Sequence, residues 1–92
     1  MSVDAKIRDR LVRAFAPVEL EVLDESARHA GHTGARPGGS THFQVRIVSS
    51  GFSGLSRLER QRAVHAVLAQ ELQTDIHALS LITLAPDEVK SR

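Results

Sequence analysis

Ile76-His-Ala-Leu-Ser-Leu-Ile-Thr-Leu84 is the most β-like run of the chain. Its apolar residues fall at both parities, Leu79 and Leu81 on one and Ala78, Ile82 and Leu84 on the other, which is the pattern expected of a central strand. Upstream, Phe43, Val45 and Ile47 alternate with His42, Gln44 and Arg46, a strand with one wet face. Between the two runs a helical pattern extends from about Ser56 to Leu72, with Val64, Val67, Leu68 and Leu72 on one face. Leu55 and Leu58 belong to a first turn or to a separate short helix. A connection of that length makes the two strands parallel, with a right-handed crossover.

Farther upstream, Val18, Leu20 and Val22 alternate with Glu19 and Glu21 and give another strand. Its simplest partner is the 43–47 strand, antiparallel. The connection between them, residues 24–41, holds two histidines, four glycines and a proline, and is far longer than a hairpin needs. Ile7, Leu11, Ala14 and Phe15 mark one face of an opening helix that Ser2 or Asp4 can cap and Pro17 stops. Pro86 suits the first position of a short closing helix over 87–90. The order is αββααβα, an α/β (α+β) chain with a three-stranded mixed sheet and helices on one face, in a single domain over 1–92.

Composition narrows the chemistry. The 92 residues include no Cys, no Trp and no Tyr, and only three Phe. Disulfides, thiol catalysis and cysteine-only metal sites are excluded, and few rings are present to stack on nucleobases. No Gly-x-Ser-x-Gly elbow, phosphate-binding Walker loop or Gly-x-Gly-x-x-Gly occurs, so the chain is expected not to be an enzyme. No apolar run reaches the length of a membrane span, and no secretory signal pattern is seen, which makes the cytoplasm the expected compartment. Net charge is +1, too balanced to advertise nucleic-acid binding by composition alone. The arginines cluster, however, and Arg57, Arg60 and Arg62 fall at the start of the long helix, where the dipole also favours phosphate.

The five histidines are the remaining ligands of interest. His29 and His32 stand three apart among glycines in the long connection, a spacing that lets two imidazoles reach one metal. Two histidines alone do not complete a tetrahedral site, and by themselves they read more simply as solvated loop histidines. His42 begins a strand and His65 lies on a helix, as packing or surface residues. His77 opens the third strand. Gly51-Phe-Ser-Gly54 reads as Gly-x-x-Gly, the backbone clamp of KH domains. It lies between a strand and a helix rather than between two helices, and a turn needing glycine at positive φ accounts for it.

Taken together, several segments resemble the BolA family: Phe15-Ala-Pro17, Leu20-Glu-Val-Leu-Asp-Glu-Ser26 with His29 after it, His42-Phe-Gln-Val-Arg-Ile-Val-Ser49, Phe52-Ser-Gly54, Arg60-Gln-Arg62, Glu71-Leu72 and Ile76-His-Ala-Leu79. They occur in the family's order across nearly the whole chain. The resemblance implies a KH-like fold and a non-enzymatic protein that pairs with a monothiol glutaredoxin. In such a pair a [2Fe–2S] cluster is shared, the glutaredoxin cysteine and glutathione supplying sulfur. The histidine of Ile-His-Ala-Leu, His77, is then one ligand, and the loop supplies another, His29, with His32 as the alternative. DNA-binding transcriptional regulation, also described for bacterial members, would fall to Arg57, Arg60 and Arg62. The chain departs from the family at Gln61, where most members carry histidine, and in the longer glycine-rich loop through Gly34–Gly39.

Overall fold

A computed structural model describes residues 2–25 and 42–89. Helix α1 spans Val3–Phe15; the Ser2 hydroxyl accepts from the Ala5 N–H, and Ile7 and Leu11 are its buried residues. The helix ends at Ala16, whose φ of 45° and ψ of 56° lie in the left-handed region, and its N–H bonds back to the Val12 carbonyl. A residue with a β-carbon is strained there by about 1–2 kcal/mol, and Pro17 follows where no helix can continue.

Strand β1 (Glu19–Asp24) pairs antiparallel with β2 (His42–Val48), which pairs parallel with β3 (Ala78–Leu84). The order is β1-β2-β3, so β2 is central and β3 is an edge. This corrects the expectation drawn from the apolar residues of β3. Apolarity at both parities marks a central strand only when helices cover both faces of a sheet. Here one face is covered. Phe43, Val45 and Ile47 of β2 pack with Ile7, Leu11, Val64 and Leu68 in the core, while Leu23 and Ile82 stand exposed on the other side. The central strand of a two-layer domain therefore alternates, as β2 does.

Val18 also departs from its expected place. Its N–H bonds to the Val48 carbonyl, but its side chain is exposed and the strand begins at Glu19.

The long helical pattern is divided into α2 (Arg57–Val67) and α3 (Ala69–Thr74), with the break at Leu68. Ser56 and Glu59 form a capping box: Glu59 N–H donates to Ser56 Oγ at 3.1 Å, and Ser56 N–H donates to Glu59 Oε1 at 2.8 Å. That reciprocal pair fixes the start of α2 at Arg57. Single-turn 3-10 segments occupy Ser50–Phe52 and Pro86–Glu88. The glycine expected at positive φ is Gly54, at 81°.

Candidate functional site

Strand direction builds the site. Because β2 and β3 are parallel, both begin at the same end of the sheet, where the antiparallel β1 finishes. His42 lies opposite Ala78 in the register, which puts His77 one residue diagonally away. The two imidazoles meet with ring centroids 6.2 Å apart and planes inclined by 26°. Both side chains are exposed, yet each is next to a buried anchor, Phe43 after His42 and Ile76 before His77. The backbone at both positions is thus held by the core while the rings face solvent. Counting back from the paired strand cores would have brought His42 to His77; read singly, His42 showed only a strand start.

His29 and His32, the expected loop ligands, lie outside the described residues. The last described residue before them, Glu25, and the first after them, His42, both lie at the end that carries His77.

The three arginines do not form one basic face. Arg57 and Arg62 are exposed on α2, but Arg60 is buried. Its guanidinium donates to the Leu55 carbonyl at 3.0 Å and the Thr83 carbonyl at 3.1 Å, and grips both carboxylate oxygens of Glu88. This fork ties α2 to the end of β3 and to the 86–88 turn, a use for which a planar guanidinium is suited. Arg60 is therefore a structural staple, a correction to its expected nucleic-acid role. Its spacing from Val64 and Val67 already placed it on the apolar stripe of the helix. Five positions separate Arg57 from Arg62, an angle of about 140° around the axis.

Glu88 bears the electrostatic mark of this arrangement. The Arg60 hydrogen bonds, and then the Ala85 N–H at 2.8 Å, hold its carboxyl down to about 2 from the ordinary 4.5. The unfolded carboxylate titrates near the ordinary value, so the stabilisation is full above about pH 4.5 and is lost as pH falls towards 2. Glu88→Gln is expected to lower the Tm at neutral pH and to flatten its decline between those limits, measured by thermal melts across the acid range. An unchanged acid profile would show that the pair contributes nothing.

On the opposite side of the helical layer, α1 meets α2 and α3 at a groove of about 550 Å³ lined by Lys6, Arg10, Arg13, Val67, Gln70 and Glu71 among others. Glu71 is buried, and its Oε2 accepts from Arg10 Nε at 2.7 Å. Arg10 also donates to Gln70 Oε1 at 3.0 Å. Sequence reading found Glu71 only as part of a family segment, not as the buried half of an ion pair.

The architecture is that of a small α+β domain with helices on one side of a mixed sheet and an exposed imidazole pair at one sheet end. A model of the BolA-like protein family matches residues 11–88. The chain belongs to the BolA family. It is 42% identical over 90 residues to the chloroplastic protein BOLA1 of Arabidopsis thaliana, covering 96% of this chain and 56% of that protein. It is 43% identical over 83 residues to the DNA-binding transcriptional regulator BolA of Escherichia coli K12, covering 90% and 75%. Among solved structures, BolA1 from Arabidopsis thaliana superposes with a TM-score of 0.88 at 40% identity, covering 98% of each chain. The BolA domain of SufE1 from the same plant gives 0.82 at 44%, covering 97% of this chain and 98% of that one. The chain thus spans little more than half of some relatives, such as the plant BOLA1 protein, and most of others. No helix of the described residues is long and apolar enough to cross a membrane, and the family match indicates no catalytic class.

Proposed function

We propose that this chain is a non-enzymatic, cytoplasmic partner of a monothiol glutaredoxin, and that the two share a [2Fe–2S] cluster in iron–sulfur trafficking or in redox and iron regulation. The observation that carries this reading is an exposed His77, fixed at the sheet end by buried Ile76, in a chain with no cysteine. A cluster of this kind needs four ligands, and replacing thiolate by imidazole raises its potential. This chain has no thiolate to supply, so the thiolate sulfur comes from the glutaredoxin and glutathione. His77 gives one imidazole and His29, or in its place His32, the second. Half a ligand set is incomplete alone, so cluster binding requires the partner.

Mixing the purified chain with a cluster-loaded monothiol glutaredoxin is expected to change the visible absorption and circular dichroism of the cluster. His77→Ala is expected to abolish or alter that change while leaving the far-ultraviolet spectrum intact. No spectral change with the wild-type chain, or the same change with His77→Ala as with wild type, contradicts the reading.

One observation favours DNA binding as a second reading: a relative over most of the chain is named a DNA-binding transcriptional regulator. Its contacts would be Arg57 and Arg62, since Arg60 is engaged internally. Removing either should reduce the log–log salt slope of DNA affinity by about 1. A slope indifferent to both arginines contradicts it.

A further inference from the structure

We infer that His42 and His77 form a two-imidazole site for a single divalent transition-metal ion of the copper, nickel or zinc class, held by this chain without a partner protein and without sulfur. The site shares His77 with the proposed cluster but does not rest on that reading, because it uses His42, a mononuclear ion and no second protein.

Geometry supports it first. A metal bound to an imidazole nitrogen lies about 3.2 Å from the ring centre, given a metal–nitrogen distance of about 2.0–2.1 Å, so two rings on one tetrahedral ion have centres about 5 Å apart. The observed separation is 6.2 Å. Side-chain rotation, with His42 exchanging its present interaction for the metal, closes the remaining ångström or so, and both side chains are exposed. The backbone need not move, since Phe43 and Ile76 are buried beside the two histidines and the β2–β3 register holds the strands together. The ordering that chelation demands is thus confined to the two side chains, and most of the preorganisation is supplied by the fold.

Ligand chemistry selects the ion. Imidazole suits copper, nickel and zinc, whereas oxygen donors suit magnesium and calcium. With two nitrogens and no thiolate, affinity is expected to follow the ordinary divalent order, with copper strongest. Among the described residues no group of three or more His, Asp or Glu side chains is placed to hold a metal. The other coordination positions fall to water or to an incoming ligand, which makes the site open rather than closed.

The test is a titration of the untagged full chain with Ni²⁺ or Zn²⁺ alone, by calorimetry and by ¹H–¹⁵N spectra of the histidine side chains. One equivalent is expected to bind, with the His42 and His77 ring signals shifting together. His42→Ala and His77→Ala should each weaken binding at least about tenfold, and His65→Ala should leave it unchanged. His29→Ala/His32→Ala should retain binding. Circular dichroism verifies that each variant is folded. Wild-type binding no tighter than that of His42→Ala/His77→Ala overturns the proposal, as does binding lost only with His29 and His32. Failure here leaves the glutaredoxin spectral change untouched, and failure there leaves this titration untouched, so the two readings fall separately.

Discussion

Phe43→Ala is expected to cost about 3–5 kcal/mol, the range for truncating a fully buried aromatic residue. Phe43 is 1% exposed and belongs to the core that joins the sheet to α1 and α2. Its register partners are Asp24 on β1 and Leu79 on β3, so it stands where the three strands meet at the histidine end. A domain of 92 residues has a total stability of roughly 5–14 kcal/mol at ~0.05–0.15 kcal/mol per residue. The substitution therefore removes a large share of it. Urea unfolding should show a lower midpoint with an unchanged m-value. Phe43→Leu, which refills most of the volume, should lose less. A cost below about 1 kcal/mol for Phe43→Ala would contradict the packing described, because no full cavity in a core is that inexpensive. The prediction also concerns function, since Phe43 is the residue that fixes His42.

Arg10→Ala is expected to destabilise the chain by about 2–4 kcal/mol through Glu71 rather than through lost packing. The Glu71 side chain is 4% exposed and that of Arg10 is 41% exposed. Arg10 serves Oε2, while Oε1 is buried with no hydrogen-bond partner among the described residues. Removing the guanidinium leaves a buried carboxylate without its cation, the costly way to break a pair. The loss is smaller than for a fully buried pair because water can enter where Arg10 stood. Glu71→Gln in the Arg10→Ala background is expected to recover more than half of it, since the amide carries no charge to desolvate. Chemical denaturation of the wild type, the two single variants and the double variant measures this. A double variant no more stable than Arg10→Ala would show that charge is not the cause.

Much of the fold was legible because period and parity change where the elements do. The 3.6 pattern of Ile7 and Leu11, the alternation at Phe43, Val45 and Ile47, and the parallel crossover to β3 all appear in the structure. The edge position of β3 was masked by its composition. Its apolar residues at both parities suggest a central strand, whereas the pairing of β1 with β2 leaves a third strand at an edge on whichever side it joins. The site was legible in part for the same reason. Ile-His-Ala-Leu identified His77, but its neighbour His42 is 35 residues away in sequence and is brought in by register alone. Arg60 was misassigned because its charge was weighed and its position was not. Four and seven residues from Val64 and Val67 on a helix, even an arginine turns inward when carbonyls and a carboxylate await it.

The most direct measurement of the central claim is electron–nuclear double resonance on the reduced cluster of the complex. This chain is labelled uniformly with ¹⁵N, and the monothiol glutaredoxin and glutathione are left at natural abundance. Strong ¹⁵N coupling from directly bound imidazole is predicted for the wild-type chain, with the His77 contribution missing in His77→Ala. A cluster whose spectrum shows no ¹⁵N ligand from the labelled chain would contradict the account.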